Sequence, residues 1–124
     1  MNLVDTSGWL EYFTNGPNAN NFAKPIEDSK NLIVSVINVY EVYKKVFNEK
    51  DENSAIQAIG ILLQSEVINV DEYISIDAAK ISCNLKIPMA DSIIIASAKS
   101  VNAVIWTQDS DFKNLPNVKY FPKV

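Results

Sequence analysis

Residues 86–100 read KIPMADSIIIASAKS, and the fold follows from how this stretch is read. Pro88 stands where a chain enters the first turn of a helix, since its missing N–H has no partner there anyway. The body that follows, Ile93 to Ala98, is apolar on nearly every side, so this helix should be buried centrally. Downstream, Ala103 to Thr107 reads as a strand, TQDSDF (107–112) as its exit loop, and Val118 to Phe121 as a last strand.

Upstream the same alternation repeats. Val67 to Val70 reads as a brief extended piece, and Asp71 as the N-cap of a helix reaching about Leu85. A helix over Ser54 to Gln64 should bury Ile56, Ile59, Leu62 and Leu63. Before it, Leu32 to Val36 is an apolar, β-branched run suited to a strand covered on both faces. In the helix after it, Val39, Val42, Tyr43, Val46 and Phe47 make an apolar stripe, with Glu41, Lys44, Lys45 and Asn48 off it. Asn2 to Asp5 reads as a first strand, and Thr6, Ser7 and Gly8 open a helix carrying Trp9, Leu10 and Phe13 inward. The run NGPNANN (15–21) marks a loop or helix start.

Strands alternating with helices predict an α/β fold: a three-layer α/β/α sandwich with a central, mostly parallel sheet. With 124 residues, 48% of them hydrophobic, and no repeat or linker, residues 1–124 should form one domain. No apolar run approaches the roughly 20 residues that a membrane helix needs. No charged leader with an apolar core precedes the first strand, so a cytoplasmic location is expected. The one cysteine, Cys83, sits among apolar helix residues and is expected to be buried.

The chain has no histidine, which excludes His-type zinc sites, Ser-His-Asp and Cys-His nucleophile systems, and imidazole acid/base chemistry. The net charge is -4 and every basic residue is a lysine, a composition opposed to tight nonspecific binding of nucleic acid. Chemistry is left to carboxylates, lysines and hydroxyls.

In parallel sheets, ligands bind beyond the carboxyl ends of the strands, where the strand order reverses. Asp5 follows the first strand, Asp109 lies two residues past Thr107, and Glu41 lies early in the helix after the second strand, so all three should point to one edge. Asp91 opens the buried helix, whose N-terminus tolerates an anion. Each has a local explanation as well. Asp5 can cap its helix, Asn38 and Glu41 can form a capping box, Asp91 can complement a helix dipole, and Asp109 can close a turn. Together they are harder to explain locally, because two charges about 4 Å apart repel by about 4 kcal/mol at an effective dielectric of about 20. Shared protons or a bound cation relieve such crowding, and oxygen ligands without His or Cys suit Mg²⁺ or Mn²⁺. A hard cation held in that way serves phosphodiester hydrolysis.

At this point LVDTSGW (3–9), SVINVYEV (35–42), IPMADSIIIASA (87–98) and VIWTQDSDF (104–112), in this order and at this length, resemble the PIN-domain ribonucleases. Within that family the chain looks like the VapC-type toxins of toxin-antitoxin pairs, and the resemblance covers essentially the whole chain. It implies that Asp5, Glu41, Asp91 and Asp109 are the acidic metal-binding quartet that performs catalysis, with Asp111 as an outer ligand. Ser7 and Thr107 match small hydroxyl positions that would hold carboxylates or water, and they are equally explicable as strand-end or helix-cap hydroxyls. The resemblance also implies cleavage of RNA with Mg²⁺ or Mn²⁺, a homodimer, and a cognate antitoxin lying across the active site.

Trp9, Tyr12, Tyr40 and Tyr43 are candidates for such surfaces or for the core. Lys44, Lys45, Lys86 and Lys113 lie near the acidic edge in sequence and are candidate RNA-phosphate contacts, each otherwise an ordinary solvated lysine. Two rivals stand beside this reading. A noncatalytic PIN-like module that binds protein or RNA would be favoured by an incomplete quartet. A haloacid-dehalogenase-like phosphatase needs a second aspartate where Ser7 stands.

Overall fold

Side chains alternate across a strand, and here both faces of every central strand are apolar. Leu3, Ile33 and Ile105 point to one face, where Ile74, Ala78, Ile81, Ile94, Ile95 and Phe112 complete a core. Val4, Leu32, Val34 and Trp106 point to the other, onto Trp9, Phe22, Ile26, Val42 and Leu62. Such strands are stable only between two helical layers, and the computed structural model, which describes residues 1–124, has that form.

The elements in chain order are β1 (Asn2–Val4), α1 (Thr6–Phe13), α2 (Ala19–Ile26), β2 (Leu32–Ser35), α3 (Val36–Glu49), α4 (Glu52–Leu62), β3 (Glu66–Ile68), α5 (Glu72–Leu85), α6 (Met89–Ser100), β4 (Val104–Thr107) and β5 (Val118–Tyr120). The sheet order is β3-β2-β1-β4-β5, and every pairing is parallel, so the expected "mostly parallel" sheet is wholly parallel. Helices α1 to α4 cover one face and α5 and α6 the other.

The chain winds outward from β1 through β2 to β3, then crosses back to β4 on the other side of β1. Strand order therefore reverses between β1 and β4, and their carboxyl ends frame a crevice. Gly8 lets α1 lie close to this point. A Cβ there would stand 2.6 Å from Val4 Cγ1 and 2.7 Å from Phe22 Cδ1.

Four local expectations are corrected. Cys83 is exposed rather than buried, because α5 turns Ile74, Ala78 and Ile81 inward and Cys83 falls off that face. In α4 the buried side is Ala55, Ala58 and Leu62, which leaves Ile56 and Leu63 each 55% exposed. Phe47, near the end of α3, is exposed and stacks on Tyr43. The third strand lies at Glu66–Ile68, earlier than the expected Val67 to Val70, because its register is set by pairing with β2.

Candidate active site

Asp5 leaves β1 in extended conformation and caps α1. Its Oδ1 accepts from the Gly8 N–H at 3.2 Å and from Ser7 Oγ at 2.6 Å. The capping explanation is thus correct, and it engages only one carboxylate oxygen. Asp5 is 4% exposed, and burial pushes its pKa up to about 7. Hydrogen bonds from Ser7, Thr107 and Gly8 pull the other way without prevailing, and the charge of Asp109 adds to the rise.

Across the crevice, β4 ends at Thr107. Thr107 Oγ1 accepts from the Asp109 N–H at 2.9 Å and stands 3.5 Å from Ser7 Oγ. Asp109 caps the short 3-10 turn Ser110–Phe112, with its Oδ1 accepting from the Asp111 N–H at 2.9 Å. Asp91 lies in the first turn of α6, whose positive end favours its charged form. Its pKa nevertheless rises to about 6, first through burial and then through the charges of Asp109, Asp111 and Glu41, so burial and crowding together outweigh the helix end. Asp91, Asp109 and Asp111 each present a carboxylate oxygen within 4.8 Å of the others.

Glu41 corrects its local explanation. The N-cap of α3 is Ser35, not Asn38, and Asn38 is the third helical residue of a capping box, its Oδ1 accepting from the Ser35 N–H at 3.0 Å. Glu41 takes no part in that cap. Its Oε1 instead accepts from Thr6 Oγ1 at 2.6 Å, which ties α3 to the start of α1.

The structure thus brings Asp91, Asp109 and Asp111 together directly, whereas Asp5 and Glu41 lie outside that group, with the charge of Asp109 felt at Asp5 and that of Glu41 felt at Asp91. No lysine is paired with them, since the ion pairs of the chain are Lys45–Glu49 and Lys99–Asp77. Residues that sequence reasoning missed complete the support. Thr6 and Asn38 stand behind Glu41, and Gln108 donates from its backbone N–H to Ser7 Oγ at 3.2 Å. A Ser35-x-x-Asn38 capping pattern was available to reveal Asn38, whereas nothing local marks Gln108.

Of the four candidate lysines, Lys45 lines a groove of about 580 Å³ that borders the site through Ser7 and Gln108, together with Lys50 and Lys123. Lys44 lies over the Tyr40 ring, Lys86 ends α5 in a left-handed conformation, and Lys113 follows the 3-10 turn.

Comparison with known proteins bears on the fold. No curated protein matches the chain by sequence. Among solved structures, a toxin-antitoxin complex from Klebsiella pneumoniae contains a chain 20% identical with a TM-score of 0.85, covering 100% of both chains. Mycobacterium tuberculosis VapC20, described as a Sarcin-Ricin loop cleaving toxin, is 15% identical with a TM-score of 0.78, covering 94% of this chain and 95% of its own. Rickettsia felis VapBC2, bound to a DNA fragment from its promoter, contains a chain 18% identical with a TM-score of 0.73, covering 97% and 96%. At these identities the likeness is one of fold. The PIN-domain family model matches residues 3–118, a span that runs from β1 to β5 and takes in every acidic residue of the crevice, and so the chain belongs to the PIN-domain family.

Proposed function

We propose that the chain is a metal-dependent endoribonuclease, the toxin of a toxin-antitoxin pair, with Asp5, Glu41, Asp91 and Asp109 holding Mg²⁺ or Mn²⁺ and Asp111 as an outer ligand. The observation that carries this reading is the convergence of Asp91, Asp109 and Asp111 within 4.8 Å, with no basic partner, at the reversal point of the sheet. The donor set fits a hard divalent cation, being all carboxylate, crowded and half-buried to exposed on its open side. When bound, such a cation supplies a lowered water pKa and neutralises charge developing on phosphoryl oxygens.

The chain's own residues do the rest. Ser7 and Gly8 orient the Asp5 carboxylate through Oδ1, and Thr107 fixes the backbone that carries Asp109. Lys50 and Lys123, in the adjoining groove, offer point charges to phosphates flanking the scissile bond, while Lys45 beside them is paired with Glu49. With a net charge of -4 the chain binds RNA weakly and selects by local contacts.

An antitoxin partner is supported by the similar chain of Klebsiella pneumoniae, which is part of a toxin-antitoxin complex. A homodimer would have exposed apolar side chains to bury, among them Tyr40, Tyr73, Ile76 and Met89. No helix is long and apolar enough to cross a membrane, and a cytoplasmic site of action fits an RNA target.

Incubation of the purified chain with total RNA tests the proposal. Discrete cleavage in Mn²⁺ or Mg²⁺ that stops on addition of EDTA is expected. Cleavage indifferent to EDTA, or none with either ion, would contradict it.

A further inference from the structure

Behind Glu41 runs a chain of hydrogen bonds whose direction is fixed at both ends. Its first donor is the Ser35 backbone N–H, which can only donate, and Asn38 Oδ1 accepts from it at 3.0 Å. That bond sets the amide orientation and leaves Nδ2 facing Thr6 Oγ1 at 3.1 Å. The Thr6 hydroxyl has one proton, which it donates in a hydrogen bond to Glu41 Oε1 at 2.6 Å. All three bonds point the same way and end on the carboxylate, so each strengthens the next. Asn38 is 0% exposed, so its amide depends on these protein partners.

We infer that Asn38 is a positioning residue for the divalent-cation site, acting through Thr6 to hold Glu41 toward Asp91. The inference rests on the proposed metal-dependent reading. One side chain then has two jobs that can be separated: Oδ1 caps α3, and Nδ2 holds Thr6. Asn38→Asp keeps the capping oxygen and removes the donor, and it offers Thr6 a competing acceptor that turns the hydroxyl away from Glu41. Thr6→Val removes the last link without touching the cap, and Thr6→Ser restores it.

The experiment measures Mn²⁺ affinity by isothermal titration calorimetry for the wild type, Asn38→Asp, Thr6→Val and Thr6→Ser, with metal-free melting temperatures alongside. Expected is a loss of affinity of about 10-fold or more in Asn38→Asp and Thr6→Val, as for lost outer contacts to metal ligands, with both variants folded but melting below the wild type, because one buries a new carboxylate and the other leaves the Asn38 amide unpaired. Thr6→Ser should recover wild-type affinity, and RNA cleavage by the weakened variants should recover at high Mn²⁺. Unchanged affinity in a folded Asn38→Asp, or equal affinities for Thr6→Val and Thr6→Ser, overturns the positioning role while leaving the nuclease reading intact. A wild type that takes up no Mn²⁺ overturns both. If Asn38→Asp does not fold, the two Thr6 variants decide the matter.

Discussion

Asp91→Asn is expected to lower metal-dependent RNA cleavage by on the order of 10²–10³-fold or more, the scale on which removal of one electrostatic contributor acts. The same variant is expected to melt no lower than the wild type without metal at pH 8. Asparagine keeps the size of the side chain in the first turn of α6, and it removes a charge that Asp109, Asp111 and Glu41 oppose. Loss of activity with undiminished stability separates a site residue from a structural one. Retained cleavage in the folded variant would remove Asp91 from the chemistry.

Asp5→Asn is expected to raise the stability of the metal-free protein at pH 8. The Asp5 pKa lies near 7 in the folded state against 3.8 ordinarily, so folding is favoured by the protonated form. Its contribution is fully present below about pH 4, is lost as pH rises toward 7, and is absent above. A shift of about 3 units corresponds to roughly 4 kcal/mol. A new amide donor without a partner offsets about 1–3 kcal/mol of that, which leaves a net gain of about 2 kcal/mol. Urea denaturation at pH 4.5 and pH 8 checks this. The variant should exceed the wild type at pH 8, with the gap closing or reversing at pH 4.5. A cation offered to the wild type at pH 8 should recover much of the difference, because binding to the folded state stabilises it by mass action. A gap independent of pH would mean that Asp5 is not a buried acid under strain.

The parallel sheet was legible because its signal is repeated. Each strand is a short β-branched run, each is followed by a helical stripe, and Asp5 and Asp109 fall just past strand ends whatever the boundary error. Glu41 was harder, since its role depends on where α3 begins. Ser35 is both the last residue of β2 and the cap of α3, so no loop marks the start, and Asn38 moves from cap to third residue. Burial was misjudged where small residues make the contact. The Ala55 and Ala58 face of α4 turns inward, and the larger Ile56 and Leu63 are left outside. The support behind the site was legible only in part: Ser7 and the Ser35-x-x-Asn38 cap are marked locally, but Thr6 meets Asn38 and Glu41 across 32 and 35 residues of sequence, and Ser7 meets Gln108 across 101.

Carboxyl carbon NMR during a sub-stoichiometric Mn²⁺ titration tests most directly whether these carboxylates hold one cation. The resonances of Asp5, Glu41, Asp91 and Asp109 should broaden first and together, while those of the helix-capping Asp51 and Asp71, each bonded to a backbone N–H at 2.7 and 2.8 Å, stay sharp. Broadening spread evenly over the surface acids, with the four crevice carboxylates unaffected, would contradict the account.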